Sequence, residues 1–240
     1  MRIPSSTHLL FVLSGFAAVA LTVHAAPDGQ APNTLTAEER AAGWRLLFDG
    51  QTISEWRVFN QPTASDGWQV VDGTLARVAR GRDLITKEQF ADFEFAFDWK
   101  LGAPGANSGI MFRVIEGLPQ TYHSGPEMQL LDNAGHPDGR LPETSAGSNF
   151  ALHAPTRDAT RPVGEWNTTR LVVRGPHVEH WMNGEKVVEY ELWTPEWTVT
   201  VEASKFKQWP QYGLAGSGHI AIQDHGNPVA FRNLKVRVLK

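Results

Sequence analysis

The segment Ser124–Asn133 carries acid–base side chains where a β-strand would ordinarily carry a plain apolar face. Successive strand side chains alternate between faces, so Glu127 and Gln129 share one side while Met128 and Leu130 share the other. We expect the apolar pair to face the core and the polar pair to face a ligand, about 7 Å apart. A carboxylate and an amide at that separation can both reach one sugar-sized molecule. The alternative is a solvated polar face of a sandwich strand.

Glu127 is the first candidate for proton transfer. In a partly buried groove the pKa of its carboxyl would rise, which would make it a usable acid or base near neutral pH. The preceding segment Asn107–Arg113 is expected to pair with the Glu127 strand as a hairpin, which would bring Arg113 near the carboxylate. Such a pair would keep Glu127 ionised, and the alternative is a purely structural ion pair.

Two loops could add further chemistry. In Ile222–Gly226, His225 follows a strand end beside Asp224, a pattern that resembles an oriented general base or a metal ligand, with a surface turn as the alternative. The loop Ser204–Pro210 could bring Lys205 and Trp209 over a ligand, with a solvated loop as the alternative. His136 and His153 lie in turn-rich regions and have no evident partner.

Several function classes are excluded by what the chain lacks. It has no Gly-x-Ser-x-Gly elbow, phosphate loop, dinucleotide fingerprint or His-Glu-x-x-His motif. It has no cysteine, which removes thiol nucleophiles and thiolate metal sites. A net charge of −4 and the absence of a basic run argue against nucleic acid as a partner. Nine tryptophans favour carbohydrate only weakly, because tryptophan also suits a sandwich core.

Short strands separated by turn signals must position these residues. Phe93–Lys100 alternates cleanly, and Asn183-Gly184 is a strong hairpin signal after His177–Met182. Further strands are expected at 44–48, 68–71, 107–113, 170–174, 218–223 and 231–238. With almost no helix, this pattern predicts an all-β domain folded as a two-sheet β-sandwich or jelly roll.

The N-terminal residues are expected to lie outside that fold. Arg2, an apolar run over 9–23 and a small-residue cleavage pattern ending at Ala25 are typical of a secretory signal peptide over residues 1–25. A retained anchor is the alternative. Residues 26–42 read as a short tail that ends in a helical turn, with Thr36 and Glu39 spaced as a capping box. The domain is then 43–240, periplasmic or secreted, with no membrane span in the mature protein.

Taken in order, several segments resemble the bacterial family once catalogued as domain of unknown function 1080 and now described as 3-keto-disaccharide hydrolases. The resemblance runs from about residue 43 to 238 and rests on 43–50, 107–113, 125–133, 164–167, 183–184, 218–220 with 223–226, and 231–233. Each motif is weak by itself, whereas the ordered set is specific. One departure is at 149–153, where a tyrosine is expected, so no role is carried over to that loop.

The resemblance implies a concanavalin A-like jelly roll, usually exported, that acts on 3-keto-glucosides made by partner glycoside 3-oxidoreductases. Its activities are described as 3-keto-α-glucoside 1,2-lyase and 3-keto-2-hydroxy-glucal hydratase. In that chemistry the ketone at C3 acidifies the C2 proton, the enolate expels the C1 leaving group, and water adds to the enone. A base, an enolate-stabilising cation and hydrogen-bond donors are required.

The candidate residues can be assigned to these roles. Glu127, His225 and Lys205 are the expected catalytic residues, and either Glu127 or His225 transfers the protons. The expected substrate-binding residues are Asn107, Arg113, Gln129, Gln223, Asp224 and Trp209. Arg113, Gln129 and Lys205 would stabilise the enolate or hold hydroxyl groups, and Asp224 would orient His225. No cofactor is required, although a divalent metal on Glu127 or His225 is left open.

Two other functions are considered. A retaining glycosidase needs two carboxylates about 5.5 Å apart on one face, and Gln129 stands where the second would be expected. A non-catalytic carbohydrate-binding module needs aromatic platforms but no cluster of Glu, His and Lys. The sequence does not indicate the glycosidic linkage, the leaving group or the oligomeric state.

Overall fold

Alternating aromatic side chains build the core of a two-sheet sandwich. In the computed structural model, which describes residues 30–63 and 67–240, Phe93, Phe95, Phe97 and Trp99 are all buried on one face of a long strand. Each such side chain stabilises the fold by about 1.5–3 kcal/mol. All strand pairs in the described part of the chain are antiparallel, and the predicted concanavalin A-like jelly-roll sandwich is confirmed.

The described residues form thirteen strands and two α-helices. The strands are β1 (Arg45–Leu46), β2 (Trp56–Val58), β3 (Trp68–Val71), β4 (Thr74–Arg77), β5 (Leu84–Thr86), β6 (Phe93–Leu101), β7 (Asn107–Val114), β8 (Glu127–Leu131), β9 (Asn167–Arg174), β10 (His177–Met182), β11 (Glu185–Glu191), β12 (His219–Ile222) and β13 (Val229–Val238). The helices are α1 (Ala37–Ala41) and α2 (Pro195–Glu202).

The strands divide between a large sheet and a small one. The large sheet has the order β11-β10-β9-β6-β13-β4-β3, with β1 pairing with β13, and the small sheet has the order β2-β5-β12-β7-β8. The small sheet has an inner face that packs into the core and an outer face, which we call the site face because Glu127 lies on it. A small apolar cluster, Phe59, Ile85, Met111, Val114 and Ala221, covers part of the site face.

Several local predictions hold. Strands β3 and β10 have the expected bounds, and Thr36 forms the predicted capping box at the start of α1 by accepting from the Glu39 N–H. The Asn183-Gly184 turn joins β10 to β11 with φ angles of 51° and 87°, the left-handed values that this type of hairpin requires. Helix α2 is not anticipated by the sequence patterns.

The proposed signal peptide, residues 1–25, lies outside the described residues and stays a prediction. Within 30–63 and 67–240, none of the helices is long and apolar enough to cross a membrane.

Candidate active site

Glu127 lies at the start of β8 on the site face, opposite Met111 of β7. The predicted alternation is correct, because Met128 and Leu130 belong to the core between the sheets. The opposite face is not a solvated one: Glu127 is 6% exposed and Gln129 is 2% exposed. Other parts of the chain therefore cover a carboxyl that the strand alone would leave exposed.

A glycine on the neighbouring strand makes room for this carboxyl. Gly109 on β7 pairs with Gln129, and a Cβ at position 109 would lie 1.9 Å from Glu127 Oε1 and 2.8 Å from its Cδ. Any side chain at 109 would displace the carboxylate. Gly109 does not have a positive φ, so backbone conformation does not require a glycine here. The glycine is explained by the close approach of the Glu127 carboxyl to the β7 backbone.

The surroundings of Glu127 favour its neutral form. The pKa of the carboxyl is raised to about 8, chiefly by burial and also by the charges of Asp83 and Asp138, while the Lys205 ammonium opposes the rise. Oxygen Oε1 has no hydrogen-bond partner among the described residues. A buried carboxyl with a free oxygen and a pKa near neutrality has the properties of a general base or acid.

Asp83 is a second carboxyl near Glu127 that the sequence patterns did not reveal. It directly precedes β5 and lies on the site face, since it is two residues from Ile85, the partner of Ala221. Its oxygens accept hydrogen bonds from the Thr121 hydroxyl and from the Asp224 N–H, the latter at 2.8 Å. Burial nevertheless raises the pKa of Asp83, and the Asp224 charge adds to that effect.

Unpaired oxygen acceptors accompany Glu127 on the site face. Asn107 Oδ1 and Gln223 Oε1 are buried without a partner in the described part of the chain. Asn107 lies on the same face of β7 as Gly109, and the Gln223 N–H donates to Gly109 O at 2.9 Å. Buried polar atoms are normally hydrogen-bonded, so three free acceptors on one face fit the hydroxyl groups of a bound sugar.

Gln129 lies beside this group with its own oxygen occupied. Its Oε1 accepts from the Leu130 N–H at 3.1 Å, and its backbone bonds to Gly147 and Ser148. The side chain lies on the predicted face, and this oxygen already has one hydrogen-bond partner.

Lys205 comes from the segment that follows α2. It begins a 3₁₀ turn, Lys205–Gln208, after α2, and its Nζ lies 4.2 Å from the centre of the Phe150 ring. The Phe150 N–H donates to the Glu127 carbonyl at 2.9 Å, so the cation lies over a residue bonded to β8. Desolvation lowers the pKa of Lys205, while the charges of Glu127 and Asp138 raise it. Lys205 and Glu127 are thus close enough for the charge of each to affect the pKa of the other.

A buried aromatic stack holds the Lys205 turn in place. Tyr190, Trp197, Tyr212 and Phe206 follow one another with successive ring-centroid distances of 5.8, 6.1 and 4.0 Å. Gly213 lets the chain pass the Trp197 ring, because a Cβ there would lie 2.4 Å from it, and the Gly213 N–H donates to Ser124 O at 2.8 Å. The stack therefore fixes this segment close to the start of β8.

Trp209 adds an aromatic surface beside the turn. Its ring stacks on His123 at a centroid distance of 4.6 Å and meets the edge of Tyr122 at 5.2 Å. Tyr122 packs on the apolar cluster of the site face. The expected substrate-binding role of Trp209 stays a prediction.

His225 is exposed at the other end of the site face. Its charge acts on Asp83, and its ring centre lies 5.8 Å from that of His136. The distance from His136 Nε2 to Asn107 Nδ2 is 3.5 Å. A cleft of about 820 Å³ opens here and is lined by both Asp83 and His225.

Arg113 does not lie beside Glu127, contrary to expectation. A register irregularity between β7 and β12 gives Arg113 a φ of 50° and turns its side chain away from the site face. The guanidinium donates to Ala91 O at 2.9 and 3.1 Å, contacts Asp92 at 3.2 Å and lies over the Trp193 ring. The guanidinium is therefore engaged by the residues before β6 and by Trp193.

Asp224 does not orient His225 as expected. Its carboxylate accepts from Arg77 Nε at 2.6 Å and from the Gly81 N–H at 2.7 Å. Both oxygens are therefore engaged by β4 and the loop that follows it.

Within the described part of the chain, neither Glu127 nor His225 belongs to a cluster of three metal-ligating side chains. Among the described residues, the one group whose ligand atoms all lie within 4.8 Å of one another is His177, Glu179 and Glu189, on the large sheet. The Lys186 ammonium already contacts both of those glutamates. A metal at Glu127 would thus lack a ready set of three such ligands.

Sequence reasoning missed Asp83, Asp138, His123 and the proximity of His136 to His225. Asp83 had one available signal, an acidic residue directly before the short apolar run Leu84-Ile85. The others lie in loops, and no periodicity places a loop residue relative to a strand on another part of the chain.

Comparison with known proteins places this geometry in context. Residues 43–237 match the sequence profile of the 3-keto-alpha-glucoside-1,2-lyase-like domain. A 3-keto-disaccharide hydrolase of Bacteroides thetaiotaomicron is 35% identical over 232 residues, which cover 83% of this chain and 79% of that protein.

Two crystal structures from Parabacteroides distasonis, each described as a candidate glycosyl hydrolase, have a similar fold. The first has a TM-score of 0.83 at 33% identity and covers 88% of this chain and all of the other. The second has a TM-score of 0.65 at 26% identity and covers 82% and 99% of the two chains.

Proposed function

Since the chain belongs to the 3-keto-alpha-glucoside-1,2-lyase-like family, we propose that it cleaves 3-keto-glucosides by elimination and hydration. The observation that carries the proposal is the buried Glu127 carboxyl, unpaired at Oε1, with the Lys205 cation acting on it. This arrangement suits removal of a proton made acidic by a neighbouring ketone. The similarity to a named 3-keto-disaccharide hydrolase supports the same substrate class.

The reaction begins with proton abstraction. Ionised Glu127 takes the proton from C2, and the electrons of that bond form an enolate whose charge rests on the C3 oxygen. Lys205, whose pKa is sensitive to the charge of Glu127, is the cation that stabilises this oxygen. As Glu127 becomes neutral, it returns to the form that its burial favours.

Elimination and hydration then follow. The enolate electrons expel the C1 oxygen, which leaves as an alcohol after it gains a proton, with His225 at the open end of the site face as the proposed donor. Water then adds to C1 of the enone and passes one proton to His225, replacing the one that His225 gave to the alcohol, while Glu127 returns its proton to C2. The products are the free alcohol and the 3-keto sugar, so the net reaction is hydrolysis.

The unpaired acceptors supply substrate binding. Asn107 and Gln223 would accept hydrogen bonds from sugar hydroxyls, and Trp209 would stack on a C–H face of a ring. We further propose that the protein is exported and that a glycoside 3-oxidoreductase supplies its ketone.

A glycoside hydrolase acting on unoxidised sugars is the second candidate, and Asp83 is the observation that favours it. The pair Asp83 and Glu127 supplies two carboxyls on one face, which Gln129 could not. Both Asp83 oxygens already accept hydrogen bonds, however, which leaves it poorly placed as a nucleophile.

One substrate comparison separates the two candidates. The protein is incubated with 3-keto-trehalose and with trehalose, and released sugar is measured by chromatography. We expect cleavage of the ketone only, and loss of that cleavage in Glu127→Gln. Equal rates on both sugars would refute the elimination mechanism and favour the Asp83–Glu127 hydrolase.

A further inference from the structure

Three arginines line the cleft at the His225 end of the site face. Arg77 ends β4, and Arg80 and Arg82 lie in the loop between β4 and β5. We call this space, bounded also by Phe59, Asn60, Pro119 and Gln120, the arginine cleft. It shares Asp83 and His225 with the candidate active site, so a substrate bound at Glu127 can extend into it.

The positive charge of the arginine cleft is only partly balanced. Asp224 pairs with Arg77 at 2.6 Å, and its second oxygen accepts from the Gly81 N–H. Neither Arg80 nor Arg82 forms an ion pair with any residue in 30–63 or 67–240. Among the described residues that line the cleft, the other acid is Asp83, whose pKa is raised by its burial, which disfavours its ionised form.

The backbone that carries Arg80 and Arg82 is anchored on both sides. The Gly81 N–H between them bonds to Asp224 Oδ2 at 2.7 Å, and Trp68 Nε1 donates to Arg82 O at 3.0 Å. Two exposed arginines at fixed backbone positions thus line one cleft. A guanidinium presents several donors in a planar fork that matches carboxylate, sulfate and phosphate oxygens.

We propose that the arginine cleft binds a negatively charged group on the leaving-group side of the substrate, so that anionic 3-keto-glucosides are preferred over neutral ones. This inference rests on the proposed function, and it adds the chemical class of the leaving group. Arg80 and Arg82 are its specificity-determining residues, while Arg77 fixes the cleft through Asp224. Carboxylates, sulfate esters and phosphate esters all carry the anionic oxygens that the cleft would recognise.

Matched aryl glycosides test the inference. The 3-keto-glucosides of 4-hydroxybenzoate and of 4-hydroxybenzamide differ in one charge and little in shape. We expect a lower KM for the carboxylate than for the amide, and a rise of about tenfold in the carboxylate KM in Arg80→Ala and in Arg82→Ala. The amide KM should stay unchanged in both variants, and Arg174→Ala, at an exposed arginine of β9, serves as the control.

The outcomes are distinguishable. Cleavage of both substrates with equal KM, or equal effects of the variants on both, would overturn the anionic preference while leaving the proposed function intact. Sulfonate and phosphonate analogues identify which anion is preferred. If neither ketone reacts, the proposed function fails. Calorimetric binding of the two unoxidised glycosides then still shows whether the arginine cleft prefers an anionic group. Carboxylate-selective binding lost in Arg80→Ala/Arg82→Ala supports the inference, and equal or absent binding overturns it.

Discussion

At the scale of single residues, Glu127 combines burial, an unpaired oxygen and a nearby cation. Its ionised form is disfavoured in the free protein, since its pKa is raised to about 8. This makes the ionised carboxylate a stronger base than an exposed glutamate would be. It also makes activity and stability depend on pH in opposite directions.

Activity should rise with pH. Because the proposed base must be ionised, kcat/KM for 3-keto-trehalose should climb through about pH 8 and then level off. Glu127→Gln should lower kcat by about 10²–10⁴-fold. His225→Gln, at an exposed ring, should cost less. A profile that falls above pH 8 would instead indicate that Glu127 acts as the acid.

Stability should fall over the same range. The folded pKa of Glu127 lies above its unfolded value of 4.5, so the folded state binds the proton more tightly and loses stability as pH rises from 4.5 to 8. The loss is at most roughly 5 kcal/mol. Glu127→Gln should therefore be more stable than the parent protein at pH 9 and similar at pH 4. Urea unfolding at both pH values measures this, and an equal difference at the two would contradict it.

Gly109 should act through the position of Glu127. In Gly109→Ala the new methyl group displaces the carboxylate, so kcat should fall and the ascending limb of the pH profile should shift. Overpacking should cost about 1–3 kcal/mol of stability. The double variant with Glu127→Gln should lose little further activity, because the displaced group is already gone. Additive losses would mean that Gly109 serves some other part of the fold.

At the scale of elements, the strands were predictable and the segments between them were not. Alternation placed Glu127 and Gln129 opposite the core, and turn chemistry placed the β10–β11 hairpin. The position of Lys205 depends instead on an aromatic stack whose members are spread over 190–212. The irregularity that turns Arg113 away from the site adds an extra residue to β7, and strand periodicity carries no signal for it.

The aromatic stack should support the site through packing alone. The Tyr212 hydroxyl is buried without a hydrogen-bond partner among the described residues, so Tyr212→Phe should leave stability unchanged or slightly increased. Tyr212→Ala should cost about 3–5 kcal/mol and lower kcat by loosening Lys205. Thermal unfolding and kinetics on both variants check this. A loss of activity in Tyr212→Phe would assign the hydroxyl a chemical role.

At the scale of the whole molecule, the sandwich brings together residues far apart in sequence. The site face collects Asp83 before β5, Glu127 on β8, Lys205 after α2 and Gln223 after β12. The fold class followed from many short alternating strands, and the family followed from an ordered set of motifs. The sequence patterns did not predict which strands pair with each other. Asp83 was therefore missed, and Asp224 was expected to contact His225 when it contacts Arg77.

The central claim is that the glycosidic bond breaks after a proton leaves C2. The most direct test is cleavage of 3-keto-trehalose carrying deuterium at C2, beside the unlabelled sugar, with the rate followed to low conversion. A primary isotope effect on kcat/KM is predicted, because removal of the C2 proton precedes release of the alcohol. Equal rates for the labelled and unlabelled sugars would contradict the account.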